Sequence, residues 1–149
     1  MKALIQRVKN ASVTIDGSVQ SNIGQGILIF LGVGVNDTEK DADYLARRCA
    51  DLRIFEDNQA KMNLSVRSIH GSVLIVSQFT LFADTAKGNR PSFTDAAPPQ
   101  SAESLYEYFV SRMKNEIGAD NVQTGIFRSM MDVQLINDGP VTIMIESKE

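Results

Sequence analysis

The polar groups best placed for chemistry lie in the segment Ser77-Gln78-Phe79-Thr80-Leu81-Phe82-Ala83-Asp84. This segment ends a strongly apolar stretch, 72–82, which predicts a buried strand. A strand that leaves the core at Ser, Gln and Thr can direct backbone N–H groups at a developing oxyanion. Taken alone, the same residues are also typical of an ordinary strand end with polar caps.

A second segment with unusual backbone chemistry is Asn137-Asp138-Gly139-Pro140-Val141-Thr142. Glycine permits backbone angles that other residues avoid, and proline fixes φ and can adopt the cis peptide. The alternative interpretation is a simple turn between two strands, predicted at 132–136 and 141–145.

Several familiar catalytic arrangements are missing from the sequence. His70 is the only histidine, so a two-histidine metal site and a Ser-His-Asp triad have little support. Cys49 lies on the apolar face of a predicted helix, which favours a core residue over a nucleophile. No phosphate-binding or dinucleotide motif is present. We therefore expect any catalysis to need no metal, no other cofactor and no histidine base.

Composition limits the class of partner. The chain has 149 residues, a net charge of −3 and a pI of about 5.2. This negative charge argues against a large nucleic-acid interface, and we expect no DNA partner. It does not exclude a small contact with the end of a strand. Arg7 interrupts the first apolar run, and the longest one, 26–35, is too short for a bilayer. We expect a cytoplasmic protein without a membrane partner.

The elements that must position these segments follow from hydrophobic periodicity and turn residues. The first two predicted strands are an alternating segment that ends in a turn at Asp16-Gly17 and an apolar run at 27–35. Later strands are predicted at 53–55, 72–82, 132–136 and 141–145. Helices are predicted over 38–51, with a Thr38–Asp41 capping box, and from Ser101 as N-cap to just before Gly118. A long connection covers 83–100.

This order of elements predicts the fold class. Strands, helix, strands, helix and strands indicate a single α+β domain over 1–149. We expect a mostly antiparallel sheet with a barrel-like core and two main helices.

The two polar segments, taken together, resemble the signature pair of the D-aminoacyl-tRNA deacylase family. Further similarities occur in order along essentially the whole chain, at 3–8, 11–13, 53–55 with 61–63, 90–93, and 124–125 with Phe127. Each match is weak alone, and their ordered series is specific. The resemblance implies a homodimer, without metal, that hydrolyses the ester between a D-amino acid, or glycine on some mischarged tRNAs, and the terminal ribose of tRNA.

The resemblance also assigns roles to the first segment. Phe79 and Thr80 would offer backbone N–H groups to the ester carbonyl, with help from the ribose 2′-OH of the substrate. Ser77 and Gln78 would position the substrate and the terminal adenosine. Met131 would contribute to the substrate-binding pocket.

The second segment would select the substrate. By resemblance, a cis Gly139-Pro140 peptide would reach into the partner subunit's pocket, and its carbonyl oxygens would crowd the α-carbon of an L-residue. Arg7 would hold this segment by bonding nearby carbonyls. An arginine exposed at a strand edge is the alternative for Arg7.

Contacts with the acceptor end of tRNA would involve a few cations. Lys87, Arg90 and Arg128 are candidates to meet phosphates, and solvated loop charges are the alternative. Arg128-Ser129 stands where family members usually carry small residues, and Ala60 where they often carry glycine.

Two rival functions remain at this level. One is a small-ester hydrolase with Thr80 as the nucleophile, although no base lies nearby in sequence. The other is a non-catalytic dimeric module that binds RNA ends.

Overall fold

A computed structural model describes residues 1–148 of the chain. Within that range the strands are β1 Lys2–Ile15, β2 Ser18–Ile23, β3 Gly26–Gly32, β4 Phe55–Glu56, β5 Met62–Leu64, β6 Ser72–Ser77, β7 Val122–Thr124 and β8 Asp132–Glu146. The α-helices are α1 Glu39–Asp51 and α2 Pro99–Ile117, and short 3₁₀ helices cover Phe79–Phe82 and Ala119–Asn121.

The main sheet is mixed and nearly closes into a barrel. Its strand order is β2-β1-β3-β6-β7, and β8 pairs with β1. The pairings of β1 with β2, β3 and β8 are antiparallel, while β3–β6 and β6–β7 are parallel. The predicted α+β fold with a mostly antiparallel, barrel-like core and two helices is confirmed.

Strand β3 is buried on both faces, as its continuous apolar run predicts. Ile27 and Ile29 belong to the core cluster that the helices cover, and Leu28 belongs to a second cluster on the other face. The strand begins at Gly26, where an added Cβ would lie 1.8 Å from the carbonyl oxygen of Ser72. Only glycine therefore permits this close approach of β3 to β6.

Helix α1 begins after the predicted capping box. The amide of Thr38 donates to the Asp41 carboxylate at 2.8 Å, which satisfies a backbone donor at the helix start. Cys49 is fully buried on the apolar face, and burial raises the pKa of its thiol to about 12. The thiol is therefore neutral and unreactive, as a core residue should be.

The late part of the chain differs from the prediction. The segment 137–140 does not reverse the chain, because β8 runs continuously on both sides of it. The long strand β1 pairs with β8 before and after this segment, with register shifts between Gln6 and Val8 and between Val8 and Asn10. The extra residues therefore bulge out of a continuous strand instead of forming a hairpin.

Four predicted boundaries were also wrong. The apolar strand ends at Ser77 and continues as a 3₁₀ helix, so 79–82 is not extended. Helix α2 begins at Pro99 with Pro98 as its N-cap, because proline suits the first helical position. Ser101 is instead inside the helix, where its hydroxyl donates to the Pro98 carbonyl at 3.1 Å. The strand predicted at 53–55 covers Phe55–Glu56. The strand predicted at 27–35 covers Gly26–Gly32.

Candidate active site

A cavity of about 860 Å³ opens where β6 ends. Ser77, Gln78 and Phe79 form one part of its wall. Other parts come from the connection before α2, the first turn of α2, and the segment after β7. These include Phe93, Pro98, Pro99, Ala102, Phe127, Arg128, Ser129, Met130 and Met131. Its lining is largely apolar with a few polar groups, as is usual for ligand sites.

Two consecutive backbone amides, those of the lining residue Phe79 and of its neighbour Thr80, have no acceptor within residues 1–148. The amide of Gln78 donates to the Leu31 carbonyl at 2.8 Å, which fixes the backbone just before them. The N–H groups of Phe79 and Thr80 then begin the 3₁₀ helix, where amides lack intrahelical partners. Both amides therefore remain available to a ligand oxygen.

Within residues 1–148, the Thr80 hydroxyl is hydrogen-bonded to an amide side chain and to no group that could act as a base. Gln78 Nε2 donates a hydrogen bond to Thr80 Oγ1. A carboxamide cannot accept the hydroxyl proton as a general base would. This contact suits an ordering role for Thr80 better than a nucleophilic one.

The long connection before α2 is folded against the site. Asp84 and Ser92 exchange backbone hydrogen bonds of 2.8 and 2.9 Å, which closes a loop with Lys87 and Arg90 between them. Next to this closure, the Phe93 ring meets Phe79 edge to face, with centroids 5.0 Å apart. The two cations are exposed on the loop and do not line the cavity.

Tyr106 on α2 supports the end of β6. Its hydroxyl is buried and donates to the Ile75 carbonyl at 2.9 Å, and the same carbonyl accepts the Gly125 amide at 3.1 Å. Burial raises the pKa of Tyr106, so the hydroxyl stays protonated. Sequence analysis missed this residue, although a tyrosine at helical spacing from Ala102 and Phe109 signals a buried hydroxyl that needs a partner.

Met131 is seated against a glycine. A Cβ at Gly125 would lie 2.6 Å from the Met131 sulfur. The methionine therefore lies directly over the backbone after β7, and from there it lines the cavity. The Thr-Gly-x-Phe stretch contributes both this glycine and Phe127, whose ring lies 5.8 Å from that of Tyr106.

The bulge of β8 carries Gly139 and Pro140, whose peptide bond is cis and which are both exposed. The Asn137 side chain donates to the carbonyls of Arg7 and Val141, at 3.1 and 2.9 Å, and accepts the Val141 amide at 3.1 Å. A Cβ at Gly139, where φ is +144°, would lie 2.8 Å from Val141. The Asn137 side chain thus connects the two ends of the bulge by hydrogen bonds.

Arg7 is buried and fixes the same bulge from outside. Its Nε donates to the Asp138 carbonyl at 2.8 Å, and its Nη1 donates to the Ile54 carbonyl at 2.6 Å. The Asp138 carboxylate lies 3.6 Å from Nε. Arg7 is therefore not the exposed strand-edge arginine of the alternative interpretation.

The predicted site residues fall into three groups. Ser77, Gln78, Phe79, Arg128 and Met131 line the cavity, with Thr80 next in sequence. Arg7, Gly139 and Pro140 lie together at the bulge, and Lys87 and Arg90 lie on the loop. Neither of the last two groups lines the cavity of its own chain.

Within residues 1–148, no three histidine, cysteine, aspartate or glutamate side chains cluster closely enough to hold a metal ion. No helix in the same range is long and apolar enough to cross a membrane.

Fold and site together define a small α+β protein in which two backbone amides without an acceptor in residues 1–148 lie at and next to the cavity wall, an arrangement suited to oxyanion stabilisation. The chain belongs to the D-Tyr-tRNA(Tyr) deacylase family, whose sequence pattern matches residues 4–146.

Relatives named D-aminoacyl-tRNA deacylase occur in Thermosipho melanesiensis, Koribacter versatilis and Dictyoglomus turgidum. They are 50%, 52% and 52% identical to the chain over 149 residues. The matches cover 100% of this chain and 99%, 99% and 94% of those relatives.

Two solved structures are also similar. One, named c-Myc DNA Unwinding Element Binding Protein, has a TM-score of 0.96 and 41% identity over 100% of both chains. The other is described as a probable eukaryotic D-amino acid tRNA deacylase. It has a TM-score of 0.85 and 15% identity, over 97% of this chain and 98% of that one, and shows the fold alone.

Proposed function

We propose that this protein hydrolyses the ester bond of D-aminoacyl-tRNA and releases the free D-amino acid and tRNA. The observation that carries the proposal is the pair of backbone amides of Phe79, which lines the cavity where β6 ends, and of the adjacent Thr80, neither of which has an acceptor within residues 1–148. The names of the relatives that match across the whole chain support the same reaction.

The amides would act on the transition state. Water attacks the ester carbonyl, and the carbonyl oxygen gains negative charge that two fixed N–H donors stabilise without reorganisation. The ribose oxygen then leaves with a proton as the carbonyl re-forms. The neighbouring 2′-OH of the ribose helps to orient or activate the water, which accounts for the lack of a histidine base in the proposed mechanism. Ser77 and Gln78 position the ester and the terminal adenosine.

Selection against L-residues would come from the bulge of a second copy. In a homodimer, the carbonyl oxygens of Gly139 and Pro140 of one subunit would enter the other subunit's cavity and crowd an L side chain. Both residues are exposed and lie away from their own cavity, which suits a role across an interface. Arg7 and Asn137 hold the bulge rigid. Glycine, which has no side chain, would pass with the D-residues.

The substrate would be held by its acceptor end only. Met131 completes the amino-acid side of the cavity, and Lys87, Arg90 and Arg128 are the cations proposed to meet phosphates. The single domain, 1–149, would perform this reaction in the cytoplasm and without metal or other cofactor.

The proposal is tested by comparing esters in the presence of EDTA. We expect rapid release of tyrosine from D-tyrosyl-tRNA and little from D-tyrosine ethyl ester, which lacks the 2′-OH. Comparable turnover of both esters would favour a general esterase that uses Thr80. Binding of tRNA without release would favour the RNA-end-binding module.

The proposed homodimer is tested by mixing two variants of low activity, one altered in the cavity and the other Arg7→Lys, in which the bulge is misplaced. Recovery of part of the activity on mixing would support active sites shared between subunits. Absence of any recovery, with dimers still formed, would contradict the shared arrangement.

A further inference from the structure

We propose that Arg128 binds the phosphodiester next to the terminal nucleoside of the substrate, so that this chain distinguishes an ester carried by RNA from one carried by a free nucleoside. This inference rests on the proposed function and assigns a specificity role to one of its three candidate cations.

The backbone of Arg128 is unusual. The Ser129 amide donates to the Ile126 carbonyl at 3.2 Å, which closes a turn with Phe127 and Arg128 as its central residues. Arg128 has a φ of +65° at the second central position, where turns that require a positive φ favour glycine. Asp16, Ala60 and His70 also have a positive φ, but of these four residues only Arg128 lines the cavity, which motivates the hypothesis of a functional side chain there.

Charge at the cavity supports the same role. Among the residues that line it in the described chain, Arg128 is the only one with an ionisable side chain. Its guanidinium is exposed and makes no hydrogen bond or ion pair with residues 1–148. Because the protein as a whole has a net charge of −3, its overall field does not attract anions. The positive charge of Arg128 is the local group in the cavity lining that can attract one.

The chemistry of the substrate identifies the anion. An aminoacyl ester has no free carboxylate, and its α-ammonium group would be repelled by a guanidinium. The remaining anion close to the ester is the phosphodiester that joins the terminal nucleoside to the rest of the strand. A guanidinium is always charged and can donate two parallel hydrogen bonds to phosphate oxygens. Lys87 and Arg90, on their loop outside the cavity, lack this position.

The test compares D-tyrosyl-tRNA with D-tyrosyl-adenosine, which keeps the ester and the 2′-OH but has no phosphate. For Arg128→Gly we expect KM for the tRNA ester to rise about 3–10-fold, with kcat within about twofold. KM for the adenosine ester should not change. The slope of log KM against log salt for the tRNA ester should become shallower by about 0.7, the value for one contact to a single strand.

Ala60→Gly provides a matched control, because Ala60 also has a positive φ, +57°, and lies outside the cavity. Glycine should relieve the backbone at either position and raise Tm by about 2–4 °C. Only Arg128→Gly should raise KM for the tRNA ester. Arg128→Lys, which keeps the charge without the planar fork, should give an intermediate KM.

An unchanged KM for the tRNA ester, or an equal rise for both esters, would overturn the phosphate contact. A wild-type protein that hydrolyses neither ester would instead refute the proposed function. The contact is then judged by equilibrium binding of uncharged tRNA, which Arg128→Gly must still weaken.

Discussion

Arg7 Nε donates a hydrogen bond to the backbone carbonyl of Asp138 at 2.8 Å, across 131 positions of sequence. The same guanidinium donates to the Ile54 carbonyl, so one buried side chain joins β1, the segment before β4 and the bulge of β8. The position of Gly139, the next residue, is therefore fixed by a buried side chain with two directed hydrogen bonds.

Arg7→Lys tests whether this connection matters for catalysis. Lysine keeps the charge, but its single ammonium group cannot reproduce both directed contacts of the guanidinium. We expect kcat/KM for D-tyrosyl-tRNA to fall about 10²-fold because the bulge is misplaced, and the preference for the D-ester to decrease. Steady-state release of tyrosine measures both effects. Arg47→Lys, on the exposed side of α1, should change neither, and near-normal activity and selectivity of Arg7→Lys would contradict a positioning role.

Gly139→Ala tests the bulge itself. The new methyl group would meet Val141 at 2.8 Å and Arg7 at 3.1 Å, at a φ that disfavours a side chain. We expect selectivity between D- and L-tyrosyl-tRNA to fall by at least about tenfold, as the two carbonyls move. Gly24→Ala is the control, since a Cβ there has no neighbour within 4 Å. Unchanged selectivity of Gly139→Ala would show that the bulge does not select between D- and L-esters.

Phe79→Pro removes one of the two proposed oxyanion donors. Gln78, with φ −145° and ψ 81°, is outside the α region that a following proline disfavours, and proline is well suited to the first position of a helix. Because the substitution also removes the ring, the reference is Phe79→Ala. We expect kcat of the proline variant to be about 10²–10³-fold below that of the alanine variant.

Thr80→Ala separates the two mechanisms. If the Thr80 amide acts and its hydroxyl only accepts the bond from Gln78, kcat should remain within about tenfold of wild type. A threonine nucleophile predicts complete loss of activity. That loss, together with equal activity of Phe79→Pro and Phe79→Ala, would replace the oxyanion mechanism with covalent catalysis.

The pH dependence of stability should contain a contribution from Asp41. Burial alone would raise the pKa of this carboxyl, but hydrogen bonds from Thr38 and Ser147 and the charge of Lys148 together lower it to about 2. A lowered pKa means that the folded state gains stability above the ordinary pKa of 3.8 and loses it as the pH falls towards 2.

Asp41→Asn should therefore reduce the free energy of unfolding by about 2 kcal/mol at pH 7. The difference from wild type should shrink between pH 4 and pH 2, as measured by urea unfolding. The exposed Asp120→Asn should show no such trend. A deficit of constant size across this pH range would mean that Asp41 acts through packing and not through its charge.

Local features of the fold could be predicted from the sequence because their determinants are close together. The capping box of α1 depends on two residues three positions apart, Thr38 and Asp41. The double burial of β3 follows from an uninterrupted apolar run. In both cases the interactions that decide the structure are already present within about one turn or one strand.

The bulge could not be predicted because its structure depends on a distant strand. Asn137 to Pro140 has the composition of a tight turn, and local chemistry alone favours a hairpin. The long β1 pairs with β8 on both sides and overrides this preference. The support of Ile75 by Tyr106 and the contact of Met131 with Gly125 also depend on packing between separate elements.

The most direct test of the central claim is the ratio of kcat/KM for D-tyrosyl-tRNA to that for L-tyrosyl-tRNA, measured on the same tRNA with EDTA present. The two substrates differ only in the hand of one carbon, so the ratio isolates the proposed filter. We predict rapid release from the D-ester and release from the L-ester no faster than without enzyme. Equal release from both esters would contradict the assigned role of Gly139 and Pro140 and leave a general esterase.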